Sequence, residues 1–153
     1  MMRSLARYGR LLSLGAAFAL AACAAPAAGP GGTAEQLAGT TWRLDQLNGQ
    51  PAVALPGDGA PTLLFAADQP RVSGNGGCNQ FNGQYTQSGE ALRMGPLAST
   101  RRACVDEAGN RQETAYLRAL ESTTRFSATA EQLLLYAGDQ VVARLWRNEG
   151  STS

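Results

Sequence analysis

The chain has 153 residues with 13 Lys/Arg, 12 Asp/Glu and no histidine, and all of its basic residues are arginine. Arg3, Arg7 and Arg10 precede Cys23 and every acid follows it, so the part beyond Cys23 carries ten arginines against 12 acids, a net of −2. This length suits one domain with a modest core. The acidic balance argues against a nucleic-acid partner. The missing histidine and lysine exclude Ser-His-Asp and Cys-His nucleophiles, imidazole bases, Schiff bases and a P-loop lysine.

Residues 1–22 have the plan of a signal peptide. Three arginines lead into the apolar run Leu11–Leu20, which is too short to span a bilayer. Leu20-Ala21-Ala22-Cys23 then resembles the lipobox of bacterial lipoproteins. The resemblance implies cleavage before Cys23, acylation of that cysteine and a membrane partner reached through its acyl chains. Residues 23–36, rich in Ala, Pro and Gly, read as the lipidated cysteine and a flexible tether. Ala24 stands where inner-membrane lipoproteins usually carry Asp, which implies the outer membrane, facing the periplasm. In an organism with a single membrane, that membrane is expected instead.

Residues 37–149 read as the folded domain. A strand is expected over 41–47, closed by Asn48-Gly49. The proline-rich stretch 51–61 is a loop with an apolar patch at Val53-Ala54-Leu55. Strands follow at 62–65 and from Arg71. The glycine-rich turn Gly74-Asn75-Gly76-Gly77 leads into an alternating strand that points Asn79, Phe81, Gly83 and Tyr85 one way and Gln80, Asn82 and Gln84 the other. Another strand runs over 91–97. Tyr116, Leu117, Ala119 and Leu120 recur at helical spacing, with either Asn110 and Glu113 as a capping box or Asp106 as the start. Strands over 124–129, 133–137 and 140–147 close the chain, with Val141, Ala143 and Leu145 on one face. The expected fold is mainly β (α+β), a small antiparallel, barrel-like curved sheet with one packed helix.

These segments resemble the META domain, also called the HslJ-like or DUF306 family. The resemblance rests on Gly39-Thr40-Thr41-Trp42, Leu47-Asn48-Gly49, Gly77-Cys78-Asn79 with Phe81, Gly83 and Tyr85, the run Gly95–Cys104, and the helix with Glu113, Leu117 and Leu120. Relatives often carry methionine where this chain has Arg102. The resemblance implies a compact barrel with one helix, envelope lipoproteins and a stress-related role. It extends to the lipid-binding cracked barrel of secretin pilot proteins. It implies no catalytic residue.

With Cys23 acylated, Cys78 and Cys104 are the only thiols left in an oxidising compartment, and a structural disulfide is expected. A redox pair would lack both a Cys-x-x-Cys spacing and a histidine. Two cysteines without histidine make no zinc site, and no cofactor is expected. Trp42, Phe81 and Tyr85, with Trp146, are candidates to line an apolar ligand cavity or to fill the core. Arg101 and Arg102 are candidates for a surface contact with an anionic headgroup or a partner's carboxylates. Two function classes are expected: a non-enzymatic envelope lipoprotein that binds an envelope protein or a lipid, and a small periplasmic hydrolase using carboxylates such as Asp45, Asp106, Glu107 and Glu113. A third, purely structural reading, unspecific association that buffers envelope stress, is not separated from the first by any residue of the sequence.

Overall fold

The computed structural model describes residues 34–53, 59–102, 104 and 106–148. The expected signal peptide, Cys23 and the expected tether as far as residue 33 lie outside these residues, as do Ala54 and Leu55. In chain order the elements are α1 (Ala34–Leu37), β1 (Thr41–Leu47), β2 (Gln50–Pro51), β3 (Thr62–Phe65), β4 (Arg71–Asn75), β5 (Gln80–Ser88), β6 (Ala91–Met94), β7 (Ala98–Ser99), α2 (Glu107–Glu121), β8 (Arg125–Ala128), β9 (Gln132–Ala137) and β10 (Gln140–Arg147). The short helix α1 falls where the sequence reading places the tether and the domain boundary, and Leu37 is buried in the core.

The strands pair antiparallel in the order β1-β3-β4-β5-β6-β8-β9-β10, and β10 pairs with β1, which closes an eight-stranded barrel. β2 folds back on β1, and β7 lies on β5. Closure removes the free edges an open sheet would expose. The thinnest seam is between β6 and β8, where Ala91 and Arg125 are paired and Leu92 N–H and Phe126 N–H donate across to Thr124 and Glu90. α2 packs against β1, β6 and β10.

Two register shifts decide which side chains reach the interior. In β1, Trp42 and Leu44 point inward, and unbroken alternation would then bury Gln46. The ladder to β10 slips between Leu44 and Gln46, so Leu47 is buried instead. In β10 the ladder to β9 slips between Val141 and Ala143. This overturns the expected inward face of Val141: Val142 and Ala143 are both buried and Val141 is exposed. Trp146 also leaves the interior, because it pairs with Arg43 on the outer face and is 43% exposed.

The interior is filled by Trp42, Phe65, Phe81 and Phe126 with leucines from several strands, and by Tyr116, Ala119 and Leu120 from α2. Each large apolar side chain taken from water contributes about 1.5–3 kcal/mol. Phe81 meets Tyr116 edge-on at 6.1 Å between ring centres, and Tyr85 meets Phe65 at 5.1 Å. Arg147 lies over the Trp42 ring, with its guanidinium carbon 5.6 Å from the ring centre. In β5 the expected alternation holds, with Gln80, Asn82 and Gln84 exposed. Gly83 leaves room for the Leu97 side chain, since a Cβ would sit 2.6 Å from Leu97 Cδ2 and push it aside. Gly95-Pro96-Leu97, expected as strand, leaves the sheet after Met94 to make that crossing.

The Tyr116 hydroxyl is fully buried and has no hydrogen-bond partner. Burial pushes its ionisation well above the ordinary phenol range. The unfolded chain releases that proton near pH 10 and the folded chain does not, so stability is lost as pH rises through the unfolded value. Tyr116→Phe removes an unpaired polar atom while keeping the ring. Urea unfolding of Tyr116→Phe at pH 7 is expected to match or exceed the wild type, within about 1 kcal/mol. Its stability is expected to fall less than the wild type's between pH 9 and 11. A loss of several kcal/mol at pH 7 would mean that the hydroxyl is bonded.

Candidate functional site

The Gly74–Gln80 turn, the Ala98–Cys104 segment and one face of α2 meet at a single point. Asn75 Oδ1 accepts from Gly77 N–H at 2.7 Å, which folds the turn on itself. Cys78 is bonded to Cys104, 26 positions along the chain. Loop closure of that length removes about 3.5 kcal/mol of unfolded-chain entropy. β7 zips the same two segments together, with Phe81 opposite Ser99, and Thr100 N–H donates to Gln80 O.

Asn79 and Glu113 hold the centre, each only 6% exposed. Glu113 Oε2 accepts from the backbone N–H of Cys78 at 2.8 Å and of Asn79 at 2.7 Å. Its Oε1 accepts from Asn79 Nδ2 at 2.6 Å. Asn79 Nδ2 also donates to Arg102 O, and Asn79 Oδ1 accepts from Arg102 N–H at 2.6 Å and from Thr100 Oγ1 at 2.9 Å. A buried carboxylate is costly unless its oxygens are met by donors. Here three donors meet them, and hydrogen bonds to a charged acceptor are the stronger kind. Gly76 makes the approach possible, because a Cβ there would lie 2.8 Å from Glu113 Cγ and Oε2.

This changes the reading of the helix. Asp106 is the N-cap, accepting from Gly109 N–H at 2.6 Å, and Asn110 with Glu113 does not form a capping box. Glu113 lies instead on the buried stripe with Gln112, Tyr116, Ala119 and Leu120, while Leu117 sits at its edge. Gln112 clamps the chain after β2: its Oε1 accepts from Val53 N–H and its Nε2 donates to Val53 O at 3.0 Å. The sequence reading assigns neither role. The signal was present, since two polar residues fall on an otherwise apolar helical face.

The remaining candidates are spread over the molecule. Trp42 and Phe81 are fully buried and Tyr85 is half-buried, and the rings of Phe81 and Tyr85 pack on other rings. Arg101 and Arg102 are exposed, on the loop that Asn79 pins. Asp106 and Glu107 are exposed and Glu107 pairs with Arg111, so these acids do not share a cleft with Glu113. Between α2 and the β1–β2 hairpin lies an open groove of about 430 Å³ lined by Leu47, Pro51, Val53, Ala108, Arg111 and Gln112, among others.

The fold and site define a small closed antiparallel barrel, packed with one helix and cross-braced by a disulfide and a buried Asn–Glu pair. The META domain family model matches residues 35–149, and the chain belongs to that family. Comparison with curated proteins finds no match. Among solved structures the chain is similar to a protein from Burkholderia xenovorans studied by NMR, at 28% identity and TM-score 0.61, over 75% of this chain and 86% of that one. A second NMR structure is 27% identical with TM-score 0.59, over 75% of this chain and 93% of that one. A crystal structure of a DUF4847 family protein from Bacteroides vulgatus shares the fold at 16% identity and TM-score 0.54, over 76% of this chain and 98% of that one.

Asn79→Ala removes a donor to Glu113 and both side-chain partners of the Arg102 backbone. It is expected to cost about 2–3 kcal/mol in urea unfolding of the oxidised protein. Glu113→Gln is expected to cost a similar amount. Because both changes break one network, the double variant should cost clearly less than the sum. Additive losses would show that the two residues act independently.

Proposed function

We propose that this is a non-enzymatic, lipid-anchored protein of the cell envelope whose META domain is a binding module. Cys23 carries the acyl chains, the outer membrane is the site, and the domain faces the periplasm. The anchor rests on the order of arginines, apolar run, small residues and cysteine in residues 1–23. The observation that carries the binding role is how the interior side chains are used. Trp42 and Phe81 are core, and Glu113, the buried acid among the described residues, has both oxygens occupied by donors from the loop. Chemistry by paired carboxylates finds no support in this geometry. What remains available is the outside of the barrel, including Arg101 and Arg102 on their pinned loop. A stress-related role, which the family resemblance implies, suits such a module.

A second reading is that the domain binds an acyl chain, and the groove beside α2, with Leu47, Pro51, Val53 and Ala108, is the observation that favours it. Native mass spectrometry of the purified chain separates the two, since a lipid-sized adduct belongs to the second alone.

The anchor is tested by labelling cells with an alkyne fatty acid. Wild type is expected to take up label and fractionate with outer membranes, and Cys23→Ser to lose the label. An unlabelled wild type would remove the anchor from the proposal. A photocrosslinking residue at position 101 is expected to trap an envelope protein in cells, with the product lost on Arg102→Glu. No product from the lipidated chain would count against this loop as the contact.

A further inference from the structure

We infer that the outer wall formed by β8, β9, β10 and β1 docks on an anionic phospholipid surface. This rests on the envelope location proposed above, but its test does not depend on the anchor. Strand alternation and register place Arg125 and Tyr136, Arg144 and Leu134, and Trp146 and Arg43 side by side on the outside of these four strands. Trp146 and Val141 are the exposed large apolar residues of this wall. The Arg125 guanidinium lies 3.8 Å from the centre of the Tyr136 ring. Arg144 is half-buried, and its Nε–H has no acceptor.

Charge is sorted on this barrel. The four strands carry Arg43, Arg125 and Arg144 outward and Arg147 at the end, against a single acid, Asp45, in the β1 bulge. Among the described residues the ion pair is Glu107 with Arg111, so none of the three outward arginines is held in an ion pair. Glu131 and Asp139 stand in the turns that bound the wall. An indole and a phenol flanked by guanidinium groups match the chemistry of a bilayer interface. The rings sit at headgroup depth, and guanidinium groups pair with phosphate. The wall also adjoins the point where the chain enters the fold, since Arg43 follows α1 closely. Residues 24–33 reach at most about 35 Å when fully extended, so a domain tethered at Cys23 stays close to the membrane. An acidic protein would satisfy the arginines but would not by itself call for an exposed Trp146 among them.

The test uses the chain from position 23 onward carrying Cys23→Ser, so that neither the arginine-led apolar run of residues 1–22 nor an acyl chain contributes. It is mixed with vesicles of phosphatidylcholine alone or of phosphatidylcholine with phosphatidylglycerol. Binding is expected only to the anionic vesicles and is expected to weaken as salt is raised. Arg43→Gln with Arg144→Gln is expected to weaken it roughly 10- to 30-fold at an unchanged melting temperature. Arg71→Gln with Arg93→Gln, across the barrel on β4 and β6, should leave binding intact. Trp146 and Trp42 are the two tryptophans of the chain. Brominated lipids are therefore expected to quench fluorescence in the wild type but not in Trp146→Phe. Equal binding to neutral vesicles, or equal loss from the Arg71 and Arg93 pair, overturns the assignment of this face. So does an absence of vesicle binding altogether, which would leave the wall to an acidic protein partner. None of these outcomes bears on whether Cys23 is acylated.

Discussion

The Glu113 carboxylate is the point on which this small barrel is braced. It comes from the middle of α2 and is almost fully withdrawn from water, yet it faces the backbone N–H groups of Cys78 and Asn79 and the Asn79 amide. A charge in that position is tolerated only while its donors stay in place. The dependence runs both ways. The Gly74–Gln80 turn would leave those N–H groups unpaired without the carboxylate, and the Arg102 backbone depends on Asn79 in turn. The disulfide beside them limits how far the two loop segments can part in the unfolded chain. One acid thus joins helix, turn and second loop.

Much of this architecture was legible in the residues. β1, β3 and β10 have the expected bounds, and alternation in β5 sorted Phe81 from Asn82 and Gln84 correctly. The cysteine pairing followed from having two thiols left over. What alternation does not carry is a bulge. The slips in β1 and β10 exchange Gln46 for Leu47 and Val141 for Val142, and they arise from ladder geometry between strands distant in sequence. The two-residue strands β2 and β7 fall below any periodicity and exist because β1 and β5 offer them partners. Glu113 was misread for a related reason. Local rules favour an acid near a helix start, whereas its actual partners lie 34 and 35 positions away.

The interior leaves little over for ligand chemistry among the residues that the sequence singles out. Two of the four candidate aromatics are core, Tyr85 packs on Phe65, and Trp146 stands outside. The outside of the barrel is where this chain is distinctive. Among the described residues its strands carry arginine, and the acids, apart from Asp45, lie in turns and helices. Sequence-wide net charge hides this sorting, which appears only once the strands are wound into a wall.

The most direct measurement of the central brace is native-state hydrogen exchange at the Cys78 and Asn79 amides. If the Glu113 carboxylate holds the turn, both amides exchange only when the whole domain unfolds, at the rate of the α2 core amides. In Glu113→Gln they should become far faster than α2. Rapid exchange of Cys78 and Asn79 in the wild type, with α2 still protected, would contradict a braced turn and leave the disulfide as its main restraint.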